Sequence, residues 1–164
     1  VPNANANEPY YPPGAFYFSV TTMVPGKAPA GTEIDSGFQE VTGIQAGYDT
    51  ETVVEGGENR FVWRLPKAVK YPNLVLKRGA VAKGSALGQW VIDTLGSGLA
   101  VPIAPKDLMV SLLDAAGNPL ISWTFVRAWP LRWELASLTS TDNKVLIETL
   151  EMSYNYFTRL PSPA

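Results

Sequence analysis

Glu51, Glu55 and Glu58 stand close together in "ETVVEGGE" and are the first residues to ask for chemistry. A glycosidase needs two acids that flank a substrate, in environments that split their pKa values. Here the acids surround Gly56-Gly57 on what reads as a polar hairpin, and a solvated loop accounts for them better. The chain has no cysteine and no histidine. Disulfides, thiol nucleophiles, a histidine-based serine triad and the usual zinc sites are therefore excluded, and no cofactor or metal is expected. Carboxylate pairs and Ser/Lys dyads remain open, but the inventory leans away from an enzyme.

The order of charges says more than any acid pair. Ala28 to Asn59 holds Glu33, Asp35, Glu40, Asp49, Glu51, Glu55 and Glu58 without a cation. Asn59 to Ile92 then holds Arg60, Arg64, Lys67, Lys70, Lys77, Arg78 and Lys83 without an anion. Adjacent strands could pair the two blocks within one chain. Alternatively, the blocks are complementary surfaces that meet between copies, a heterologous contact that closes into rings or runs on as a filament. A formal net charge of -2 and the lack of a known basic-aromatic module argue against a specific nucleic-acid site.

The elements that must carry these residues are mostly strands. "FYFSV" sets Phe16, Phe18 and Val20 on one face, and "RFVWRL" sets Phe61, Trp63 and Leu65 on one face. "LISWTFVRAW" aligns Ile121, Trp123 and Phe125, after a hairpin turn at Ala-Gly-Asn-Pro. "KVLIETLEMSYNYF" aligns Leu146, Leu150, Met152, Tyr154 and Tyr156. These patterns predict half-buried antiparallel strands. One segment, "GSALGQWVIDTLGSG", has helical spacing at Leu87, Trp90, Val91 and Leu95, with Ser85 as N-cap and Gly96 or Gly98 as the stop. Among the five tryptophans, Trp63, Trp90 and Trp123 fall on expected core faces, and Trp129 and Trp133 bracket an expected turn at Pro130.

At 164 residues and with 46% hydrophobic residues, the chain has the composition of one globular domain. The expected organisation is an extended Pro/Asn-rich arm over 1–14, a domain over 15–158 and a short tail over 159–164. No run is long and apolar enough to cross a bilayer, and the reading is of a soluble protein. The fold class is mainly β, an antiparallel β-sandwich or barrel with one flanking helix.

Five blocks in order, "GFQEVTGI", "RLPKAVKYPNLVLKRG", "LLDAAGNP", "WTFVRAWPLRWE" and "LIETLEMSY", resemble the tail-tube proteins of T4-like contractile phages. That family also supplies inner tubes to phage-derived extracellular contractile injection systems. The resemblance implies hexameric rings whose sheets join around a channel and stack into a tube inside a sheath protein. It implies baseplate or tube-initiator partners, a DNA or protein cargo in the lumen, and no catalysis. It also implies folding in the cytoplasm before entry into a virion tail or an injection particle. On this reading Glu51, Glu55, Glu58, Arg60, Arg64, Lys67, Lys70, Lys77 and Arg78 meet across subunit or ring boundaries, and the hairpin Gly47 to Asn59 reaches a neighbour. The alternative from another class is a monomeric ligand-binding β-barrel with an interior cavity. An enzyme built on Glu51 and Glu55 comes third.

Overall fold

The computed structural model describes residues 17–25, 34–80, 85–136 and 146–160. The expected N-terminal arm and most of the loop after the first strand lie outside them.

Nine strands and one helix are described: β1 (Tyr17–Met23), β2 (Ile34–Thr42), β3 (Gly47–Val53), β4 (Trp63–Lys70), β5 (Leu74–Gly79), α1 (Ala86–Gly96), β6 (Lys106–Leu113), β7 (Pro119–Leu135), β8 (Ile147–Ser153) and β9 (Tyr156–Leu160). Seven strands form one antiparallel sheet in the order β6-β1-β2-β5-β8-β7-β9, and a β6–β7 pairing closes it into a barrel. Closure is staggered because β7 is long. Its first half pairs with β6 on one edge and β9 on the other, and its second half pairs with β8. The change of partner falls at Arg127, which takes a left-handed φ of 53° while its N–H donates to Asp107 Oδ1 at 2.8 Å.

Alternation places the core. Val20, Leu76, Val110, Phe125 and Leu150 point inward from neighbouring strands and are fully buried. Leu87 and Val91 of α1 close the same cluster, with Trp90 and Trp123 packed against it. The helix starts where the sequence predicts: Ser85 Oγ accepts from Gly88 N–H at 2.9 Å, satisfying one free donor of the first turn. The β6–β7 hairpin is also as expected. Asp114 Oδ1 accepts from the N–H groups of Ala116 and Asn118, each at 2.8 Å, and Gly117 supplies the positive φ of 87°. Those bonds, the Asn118 N–H first, hold the Asp114 carboxyl below the usual carboxylate range.

Three expectations are corrected. Pro130 is not a turn but a buried residue within β7. A proline is tolerated in a strand where its nitrogen faces an unpaired edge, and beyond Ala128 β7 has no described partner on its β6 side. Tyr156 is exposed, because the alternation of β8 breaks at Tyr154-Asn155 and turns Phe157 toward the core instead. Trp63 is 49% exposed, and Phe61 and Leu65 are exposed with it. Their strand, β4, belongs to a separate two-stranded ribbon with β3.

Candidate assembly interface

The ribbon continues the β2–β5 hairpin past an interruption. The β2–β5 ladder runs from Phe38↔Arg78 to Thr42↔Val75, and pairing resumes at Gly47↔Lys70 and runs out to Val53↔Trp63. Its two faces differ. Register puts Tyr48, Val53, Trp63, Leu65 and Val69 on one face, with Glu51 and Lys67 as its only charges, and Thr50, Thr52, Arg64, Pro66 and Lys70 on the other. The apolar face is not covered: Tyr48 is 67% exposed, and Val53, Trp63 and Leu65 are all exposed. A two-stranded ribbon alone is marginal in water, and an exposed apolar face on one is unusual for a surface.

An aromatic cluster fixes the ribbon at its root. Tyr71 packs near Tyr154 at 6.0 Å and edge-on to Phe157 at 5.7 Å, while Tyr154 meets Phe125 edge-on at 4.8 Å. Tyr154 Oη donates to Gly43 O at 3.1 Å, tying β8 to the point where β2 leaves the barrel. Burial, reinforced by nearby Tyr71, pushes the Tyr154 phenol up to about 12. The unfolded chain therefore loses this proton first, near the ordinary value of 10.0. Stability is expected to fall as pH rises between these values. Tyr154→Phe removes that part of the alkaline slope, and urea midpoints measured across the range check it.

The acidic and basic blocks turn out to be the two arms of this long hairpin, and much of their charge pairs within the chain. Lys77 Nζ binds Glu40 Oε1 at 2.9 Å, Lys70 pairs with Asp49, and Lys67 Nζ lies 3.8 Å from Glu51 Oε2. Arg60 Nη2 binds Glu58 Oε2 at 2.8 Å, and this pairing holds the Glu58 carboxyl below its usual range. Such exposed pairs add little stability. Glu55 has no ion pair among the described residues and accepts from Trp63 Nε1 at 3.0 Å. Arg64 likewise has no ion pair among them.

Arg78 requires a correction. It was expected at a subunit boundary, but its side chain is 3% exposed and both of its carboxylates come from its own chain. Arg78 Nε donates to Glu148 at 2.7 Å, Nη1 to Asp35 at 3.1 Å and Nη2 to Ser85 Oγ at 2.5 Å. Asp35 also accepts from Leu87 N–H, and Glu148 from Trp133 Nε1. The arginine thus locks the start of α1 to β2, β5 and β8. Sequence reasoning missed Asp35 and Glu148 in this role. The signal was there: Arg78 shares a face with Leu74 and Leu76, and Glu148 with Leu150 and Met152.

A surface groove of about 390 Å³ lies beside this network, between α1 and β7–β8, lined in part by Ile92, Trp133 and Leu135. The barrel interior itself is filled by the apolar core. No group of acidic residues suited to a metal ion occurs among the described residues.

The same architecture recurs in solved assemblies. A chain in the 6-fold symmetrised baseplate of the anti-feeding prophage is 27% identical, with a TM-score of 0.76, covering 92% of this chain and 97% of that one. A chain in the sheath/tube terminator of the PVC extracellular contractile injection system is 21% identical (TM-score 0.72, 93% and 99% covered). One in the PVC sheath-tube complex is also 21% identical (TM-score 0.68, 92% of each covered). A comparison with curated protein sequences returned no match. The family model for the T4-like virus tail tube protein gp19 matches residues 14–158, and the chain belongs to that family of tail tube proteins.

Proposed function

We propose that this chain builds its tube in two directions, closing rings through the edges of its barrel and stacking them through the β3–β4 ribbon. The observation that carries the ring is a pair of open edges. Among the described residues, β2 pairs only with β5 beyond Phe38, and β7 pairs only with β8 beyond Ala128. Between these edges lie four strands of alternating direction, β2-β5-β8-β7. Joining β7 of one copy to β2 of the next keeps every junction antiparallel and pairs both open edges. Such a contact is heterologous and closes into a ring. The 6-fold symmetrised assembly around a similar chain supports a ring of six.

The ribbon extends beyond this sheet along the strand direction, so in a ring it stands toward the next ring. Its apolar face is buried there, and Glu51, Glu55, Glu58, Arg60, Arg64, Lys67 and Lys70 meet partners across the boundary. Arg64 and Glu55, left without ion pairs among the described residues, set the orientation. The tube starts on a baseplate or initiator protein, sits inside a sheath protein and passes a DNA or protein cargo. The subunit folds in the cytoplasm and performs no catalysis. Arg64→Glu combined with Lys70→Glu is expected to raise the critical concentration for tubes about tenfold in moderate salt, equivalent to about 1.4 kcal/mol. Pelleting assays read it, and assembly equal to the parent contradicts the ribbon's charged contact.

A further inference from the structure

We infer that Trp133 is a positioning residue for ring closure, the last member of a hydrogen-bonded row that crosses the sheet from one ring-forming edge strand to the other and fixes the spacing and twist between them. This role rests on the ring closure proposed above and adds what holds the two edges in place. The row takes one residue from each strand of the β2-β5-β8-β7 sheet, in strand order: Asp35, Arg78, Glu148 and Trp133. Trp133 Nε1 donates to Glu148 Oε1 at 2.9 Å, and Arg78 Nε donates to Glu148 Oε2 at 2.7 Å. Arg78 Nη1 donates to Asp35 Oδ1 at 3.1 Å, and the guanidinium lies 4.9 Å from the centroid of the Phe38 ring on β2. Each carboxylate thus receives Arg78 and one neutral donor, the Trp133 indole on Glu148 and the Leu87 N–H on Asp35.

Stability alone does not account for such a row, because apolar residues of the same volume often serve as well. What a fully satisfied buried network supplies is a single geometry. Neighbouring strands twist by about 20–25° on average, with wide scatter. In a ring every copy repeats the same error in twist or width, so errors add around the circle and the last junction fails to meet. The row stands where backbone pairing stops helping. The β2–β5 ladder ends at Phe38↔Arg78, so beyond it side chains hold β2 to β5. At the other end, β7 pairs only with β8 among the described residues beyond Ala128, and Trp133, 37% exposed, ties this edge strand into the row. The helix is docked on the same row: a methyl group on Gly88 would stand 2.9 Å from Ser85 Oγ and 3.4 Å from Arg78 Nη2.

Trp133→Phe removes the N–H and keeps an aromatic ring at the edge. The free full-length subunit is read first, by amide hydrogen exchange. The N–H groups of Leu87 and Gly88, bonded to Asp35 and Ser85 at the far end of the row, are expected to exchange at least about fivefold faster in the variant. Glu148→Gln is expected to act alike, and the double variant to exchange no faster than the faster single variant, because both cut one chain of contacts. Unchanged exchange at Leu87 and Gly88, or two effects that multiply, overturns the row as a unit. Assembly is read next, at a temperature where circular dichroism shows the variant fully folded. The critical concentration for rings is expected to rise at least about tenfold, with open arcs and mixed diameters in electron micrographs. Parent-like rings at the parent's concentration overturn the positioning role. Should Trp133→Phe fail to fold, 3-benzothienylalanine in place of Trp133, which keeps the indole shape without the N–H, carries both measurements. A parent that makes no rings even with its initiator overturns the ring reading and the role in closure with it, while exchange still decides the row.

Discussion

Arg78→Leu is expected to destabilise the fold by about 3–5 kcal/mol, a large fraction of what a domain of this size possesses. The substitution leaves Asp35 and Glu148, each less than 10% exposed, as buried carboxylates with no cation between them. It also removes the donor to Ser85 Oγ, which caps α1. Leucine fits the apolar company of Leu74 and Leu76, so the loss comes from the two stranded charges rather than from a void. Adding Asp35→Asn and Glu148→Gln in the same chain is therefore expected to recover a substantial part of the loss. Denaturant midpoints of the three proteins measure this. A single-variant loss below about 1 kcal/mol contradicts the role given to the triad.

Gly43→Ala has the second largest expected effect. Gly43 has φ 91°, a left-handed conformation that costs an alanine about 1–2 kcal/mol. A methyl group there would also stand 1.9 Å from the backbone oxygen of Asn73, so the backbone itself must move. Asn73 precedes β5, and Tyr154 bonds Gly43 O, so the movement reaches both the ribbon's root and the wall of the barrel. The expected loss is at least about 3 kcal/mol. Gly47→Ala, at a glycine with open space around it, is the control and is expected within about 0.5 kcal/mol of the parent. Equal midpoints for the two variants contradict this account of the root.

The barrel strands, the helix and its cap were legible because each is a local signal. Alternation marks which residues of β5, β7 and β8 share a face, and Ser85 marks where α1 begins. The ribbon was half legible. Phe61, Trp63 and Leu65 alternate as residues of a half-buried strand do, but periodicity says only that a strand has two faces. It does not say that this pair of strands leaves the sheet with its apolar face exposed. The charge blocks show the same limit. Their order announced that acids and cations meet, and the hairpin register decides that Lys77 meets Glu40 and Lys70 meets Asp49 within the chain. Lys77 and Arg78 read from sequence as one basic run, and that grouping misplaces Arg78. Adjacent residues of a strand point to opposite faces, and only Lys77 faces out.

On the proposed function, this chain assembles into rings and tubes through its own edges and ribbon. The most direct measurement is electron microscopy of the purified protein at high concentration, with and without a preformed baseplate or initiator. The account predicts rings with a central hole, stacking into tubes of constant width, either alone or once the initiator is supplied. Protein that stays monomeric at every concentration and salt, with the initiator present, contradicts it.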